Sequence, residues 1–150
     1  MAVLRAQPYP AMNFTVDIGT GEVDGPEAGL VEVVFPEARL QVNEYRNGND
    51  KANEPIKLNT LTHYGNLILK RGAIGSLSWY EWWNEVRNGD PGAARTVLVR
   101  LLNEDRSGVV LAWRFLRAQP ANYQYSPLNA LVAETLVETL ELAFERMEME

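Results

Sequence analysis

The side chains able to do chemistry are few, and their spacing assembles no reaction centre. His63 is the single histidine and there is no cysteine, so thiol nucleophiles, thiolate metal sites and disulfides are all absent. No Gly-x-Ser-x-Gly elbow accompanies the histidine. One imidazole with scattered carboxylates also lacks the ligand spacing of a zinc site. Glu81 and Glu85 lie four residues apart, on one face of any helix that contains them, but that face is opposite Trp79, Trp82 and Trp83 and reads as solvated. Gly19-Thr20-Gly21 and Gly72-Ala73-Ile74-Gly75 match neither a P-loop nor a dinucleotide fingerprint. Trp79, Trp82 and Trp83 could form a sugar platform, the basis of a remote alternative as a carbohydrate-binding or hydrolytic module. At helical spacing, a core or subunit-interface face is the simpler reading. No catalytic, cofactor-binding or metal-ligating residue is assigned, and no cofactor is expected.

The elements around these residues are mostly strands. Met12, Phe14, Val16 and Ile18 alternate with polar residues up to the Gly19-Thr20-Gly21 turn, the period of a half-buried strand. Leu30 to Phe35 and Ala38 to Arg46 read as two further strands separated by Pro36, which permits a bend and not a continuous central strand. Asn47 to Asn59 is polar and aperiodic, too long for an ordinary connection, and Tyr64 to Lys70 returns to strand. Ser78 followed by Glu81 predicts a capping box for a helix whose Trp79, Trp82, Trp83 and Val86 share one face, stopped at Asn88-Gly89. Thr96 to Leu102 and Val109 to Leu116 predict a hairpin over Asn103–Gly108, with Val109, Leu111, Trp113 and Phe115 on one face. In Ala130 to Arg146, Leu128, Leu131, Val132, Leu136, Leu140 and Phe144 fit a helical stripe, whereas Leu136, Leu140, Leu142 and Phe144 also alternate. Propensity there favours helix.

At 150 residues and 46% hydrophobic, the chain can bury one substantial core and is expected to form a single domain over residues 1–150. With 23% of residues charged, no stretch is apolar enough to span a bilayer, and no membrane anchoring is expected. Met1-Ala2-Val3-Leu4-Arg5 does not open a secretory signal, so a cytoplasmic start is expected. A net charge of −6 with scattered Lys and Arg offers no basic stripe for a phosphate backbone. The acids concentrated at Glu134, Glu138, Glu141, Glu145, Glu148 and Glu150 read as a solvated face.

One stretch carries a specific pattern: Glu44-Tyr45-Arg46, Gly48, Pro55, Lys57-Leu58, Leu61, then Tyr64-Gly65-Asn66-Leu67-Ile68-Leu69-Lys70-Arg71-Gly72. It resembles the signature of the contractile phage tail tube family. Pro8-Tyr9 with Asn13-Phe14, Ala28-Gly29-Leu30 with Glu32-Val33, and Asn84-Glu85-Val86 match in the same order. Pro120, Tyr123, Ser126 and Leu128-Asn129-Ala130 follow, leading into Glu138–Glu145. The resemblance spans about Pro8 to Glu145. It departs at Asn59-Thr60, where the family usually carries Pro-Gly, and at Gln119, where an aromatic is common.

The resemblance implies a mainly β fold with one helix, similar to the haemolysin-coregulated protein of type VI secretion: two packed antiparallel sheets forming a small barrel flanked by the helix. It makes Val132 to Arg146 a strand, against propensity. It implies a non-enzymatic subunit of an inner tube, in hexameric rings stacked into a hollow conduit, or a minor tube or baseplate adaptor forming a single ring. Expected partners are further copies of the chain, sheath protein, baseplate or hub proteins, and cargo or genome in the lumen. The expected location is the bacterial cytoplasm during assembly and the tail or injection particle afterwards. The loop from about 47 to 62 is expected to be a mobile assembly element carrying Asn47, Gly48, Pro55, Ile56, Leu58, Leu61 and Tyr64 as interface residues. Gln41 and Asn43 are expected to line the lumen.

Overall fold

One strand organises the body. In the computed structural model, which describes residues 2–150, β7 (Val109–Tyr125) runs for 17 residues and belongs to two sheets in succession. Its first part pairs with β6 (Arg95–Leu102) on one side and β9 (Arg146–Met149) on the other. Its last part, from Gln119, pairs with β8 (Val137–Ala143). The changeover falls at Arg117, which takes a left-handed backbone (φ 54°), a conformation uncommon outside glycine that turns a strand sharply. Pro120 follows without breaking the strand, because β7 has a hydrogen-bonded neighbour only on the β8 side there, the edge position a proline tolerates.

β1 (Phe14–Asp17) pairs with β6, β5 (Leu67–Gly72) with β8, and β2 (Glu32–Val34) with β5, all antiparallel. The path β1-β6-β7-β8-β5-β2 folds over at β7 into two packed layers, and its ends, β1 and β2, do not pair. The small barrel is therefore corrected to an open sandwich. A short 3-10 turn, Pro26–Ala28, crosses the gap before β2. The helix α1 (Ser78–Arg87) lies over β7. Buried Val16, Leu67, Leu69, Trp79, Trp82, Val97, Val99, Phe115, Ala118, Leu140 and Leu142 form one cluster between these layers. No helix is long and apolar enough to cross a membrane among the described residues.

Several local expectations hold and several shift. The Asn103–Gly108 turn and the α1 stop are as expected: Gly89 is left-handed (φ 80°), and the amides of Gly89 and Asp90 donate to the carbonyls of Val86 and Glu85. The capping box does not form. Leu77 occupies the cap position without a side-chain bond, and Ser78, the first helical residue, interacts with Ser76 and Arg71. On β7, a register shift between Leu101 and Leu102 buries Val110 and exposes Val109. At the C-terminus the strand reading holds over β8, with Glu138, Leu140 and Leu142 facing inward, while residues 130–136 stay outside any strand. The largest shift is β4 (Ile56–Tyr64), which replaces the second half of the expected loop.

Candidate assembly surfaces

β4 pairs with β3 (Ala38–Tyr45) as a separate two-stranded sheet, and every residue of the pair is exposed except half-buried Tyr64 at its base. No other element packs extensively on either strand. A two-stranded hairpin with both faces in water is marginal on its own, so its local bonds matter. The Arg46 guanidinium donates to the carbonyls of Ala52 and Asp50, both at 2.9 Å. The Asn47 amide donates to the Asp50 carboxylate at 2.9 Å, and the Tyr45 hydroxyl meets Asn47 Oδ1. The Thr60 hydroxyl bridges to the Gln41 carbonyl at 3.0 Å, across an irregularity between Leu40 and Val42. At the base, the Gly65 amide donates to the Glu37 carbonyl and Tyr64 lies 5.1 Å from the Phe144 ring. The expected loop is thus largely an arm with a tied tip, its second side formed by the strand β4, and neither face of that strand is buried to impose alternation.

The arm exposes Leu40, Val42, Tyr45, Ile56, Leu58 and Leu61, far more apolar surface than two strands leave uncovered in a finished structure. The register Asn43↔Leu58 and Tyr45↔Ile56 puts Asn43 on the face that carries Leu58, Tyr45 and Ile56. Gln41 shares that side, meeting the ring of His63 at 3.2 Å. Neither residue lies in the apolar core. Asn47, Gly48 and Pro55 sit at the tip. Other edges open to pairing include the outer sides of β1, β2 and β9.

The remaining chemistry-bearing residues are placed without forming a reaction centre. Glu85 faces Arg95 at 3.8 Å and Glu81 is exposed. Asp17 Oδ1 accepts from the amides of Gly19 and Gly21, both left-handed, so that glycine pair shapes a turn. Among the described residues no cluster of three or more His, Asp or Glu is placed to hold a metal. Trp79 is 1% exposed and Trp82 0%, which removes the sugar platform. The Trp82 indole donates to the Ala93 carbonyl at 2.7 Å.

Beneath α1 lies a polar chain that sequence reasoning did not find. Arg71 and Glu138 are buried and bonded to each other. The guanidinium also donates to the Glu27 carbonyl at 2.9 Å and stacks 4.2 Å from the Trp79 ring. The Tyr123 hydroxyl donates to Glu138 Oε2 at 2.7 Å, so the Tyr125 hydroxyl, 2.6 Å away, gives its own proton to Tyr123. Arg71 and Glu138 face each other across the β5–β8 ladder, a register that sequence alone does not disclose. Burial, then the bonds to Tyr125 and Glu138, push the Tyr123 hydroxyl well above the usual tyrosine range. Spectrophotometric titration should find Tyr123 still un-ionised at a pH where a free tyrosine, near about pH 10, has lost its proton. The sign follows: above that pH the unfolded chain loses a proton the folded one keeps, so this residue's contribution to stability falls as pH rises. Ionisation of all six tyrosines in one step while the fold persists would contradict the assignment.

The model of the T4-like virus tail tube protein gp19 family matches residues 10–148. No curated protein matches the chain by sequence. Among solved structures, a chain of the anti-feeding prophage (AFP) baseplate is 24% identical with a TM-score of 0.81, covering 97% of each chain. A chain of the PVC sheath-tube complex, from an extracellular contractile injection system in the extended state, is 19% identical with a TM-score of 0.82, covering 95% of this chain and 91% of that one. Hcp1 from Flavobacterium johnsoniae is more distant, at 15% identity and a TM-score of 0.54 over 91% of this chain and 93% of its own. These likenesses establish a shared fold, mainly β with one helix. Since the family model runs through the open sandwich and the exposed arm alike, the chain belongs to the T4-like virus tail tube protein family, whose members are structural proteins and not enzymes.

Proposed function

We propose that this chain is a subunit of the inner tube of a contractile phage tail or injection system, closing with copies of itself into six-membered rings that stack as a hollow conduit inside a sheath. The observation that carries this reading is the arm: strands of 8 and 9 residues standing free of the body with apolar side chains on display, in a chain of the tail tube family. Such an arm is marginal with both faces in water, and a neighbouring subunit covers it at every repeat of the assembly. The free edges of β1 and β2 support the same reading, since a head-to-tail contact that closes by rotation pairs such edges and yields a ring. On this reading Ile56, Leu58, Leu61 and Tyr64 are contact residues of the arm, with Asn47, Gly48 and Pro55 shaping its tip. Because Gln41 and Asn43 share their face with Tyr45, Ile56 and Leu58, we now assign that face to a subunit contact in preference to the hydrated lumen. Sheath, baseplate and hub proteins are the proposed outer partners, with cargo or genome inside, and residues 1–150 act as one unit assembled in the bacterial cytoplasm.

Negative-stain micrographs of the purified protein, alongside its mass in solution, test the reading. Stacked tubes are expected. Isolated rings that never stack would assign the chain to a single-ring adaptor, the role that likeness to a baseplate chain keeps open. A protein that stays monomeric at high concentration would overturn the tube assignment.

A further inference from the structure

The most exposed large apolar side chains of the molecule sit at the two ends of one strand. Leu4 is 98% exposed, Leu131 96% and Leu128 88%. Leu4 belongs to an N-terminal strap tied to the first end of β7: the Val3 amide donates to the Val110 carbonyl at 2.9 Å, and the Tyr9 hydroxyl donates to the Val3 carbonyl at 2.8 Å. Arg5 locks the strap, donating to the carbonyls of Gln7 and Pro8 and to the Glu104 carboxylate, with its guanidinium 3.8 Å from the Tyr9 ring. This clamp holds Leu4 outward, burying none of it. At the last residue of β7, Leu77, Tyr125, Leu128 and Leu136 line an open groove of about 530 Å³, with Leu131 on the adjoining loop. Charges match as well. Arg106, in the turn that supplies Glu104, and Glu134, in the loop that supplies Leu128, are both exposed and form no ion pair among the described residues.

We propose that the strap inserts Leu4 into the groove of a second copy of this chain, between Leu77, Tyr125 and Leu128, with Arg106 of one copy meeting Glu134 of the next. Knob and socket are different surfaces, so the contact is head-to-tail and propagates. A pre-ordered strap lowers the ordering cost that a loose terminus would pay on binding. The inference rests on the tube reading and specifies one of its contacts, distinct from the arm.

The chain contains no cysteine, which makes the test clean. The double variant Leu4→Cys/Leu128→Cys, treated with a short bis-maleimide, should give a ladder of covalent oligomers, whereas each single variant should stop at dimers. Tubes that look normal in micrographs but yield no ladder would overturn this contact and leave the tube reading intact. Wild-type protein that forms no assembly would overturn both. Independently, Arg106→Glu and Glu134→Arg should each raise the concentration needed for assembly by about tenfold, equivalent to ~1.4 kcal/mol, and the combined reversal should restore it. A combined variant no better than either single one would show that the two residues do not meet.

Discussion

Replacing Glu138 with alanine should cost about 3–5 kcal/mol of folding stability, because it leaves the Arg71 guanidinium charged and unpaired where water cannot reach it. Arg71 would keep the Glu27 carbonyl, the Ser78 hydroxyl and the Trp79 face, none of them a counter-charge, and Tyr123 would lose the acceptor for its hydroxyl. Arg71→Ala should be comparably severe, stranding the carboxylate. The informative comparison is Arg71→Met/Glu138→Leu, which removes both charges and fills the space with apolar groups. Such replacements of buried pairs are often neutral or stabilising by about 1–4 kcal/mol, so this variant should unfold near or above the wild-type urea midpoint. The measurement belongs below the assembly concentration, so that subunit contacts do not add to the apparent stability. A single variant costing under about 1 kcal/mol would mean that the site rearranges to admit water.

Leu58→Asp should leave the subunit folded and abolish tubes. Leu58 is exposed on the arm and touches none of the buried cluster, and surface changes of this kind alter stability by within about 0.5 kcal/mol. In the assembly the same position would place a carboxylate in an apolar contact at every subunit, a desolvation penalty that recurs around the ring. Unchanged circular dichroism and urea midpoint, with empty micrographs, is the expected result. Normal tubes would show that the arm is not an interface, and a lower midpoint would show that it packs on its own body.

The strands that sequence located well are those with one wet face and one dry face. Val16 on β1 and Val97 and Val99 on β6 alternate because the core imposes the period; at Leu140 and Leu142 on β8 alternation competes with a helical stripe, and the strand follows from the resemblance and not from the period. Only half of the arm was legible: Ala38 to Tyr45 shows as a strand through Leu40 and Val42 although both its faces are exposed, whereas the stretch before Tyr64 reads as polar and aperiodic, its order coming from the β3 ladder and the Arg46-tied tip. Val109 was misplaced by a register shift that no residue type announces. The Arg71–Glu138 pair lay hidden for another reason: residues 67 positions apart in sequence face each other only once β5 and β8 are in register. Ser78 and Glu81 spell a capping box, but Ser78 lies inside the helix beside Arg71, and tertiary contact overrode the local signal. Function was legible through the pattern Glu44–Gly72, which the resemblance covers, and not through any reaction centre.

The long strand β7 also has a mechanical consequence. It is bonded along its length to β6, β9 and β8 in turn, and strand hydrogen bonds lie perpendicular to the chain. A load along either arm of β7 therefore strains its lateral bonds side by side in shear, and they must yield together. Peeling would break them one after another at far lower force. On the proposed tube reading, a load reaching β7 would pass through covalent backbone from one layer to the other, bent once at Arg117, with no loop in the path to give way.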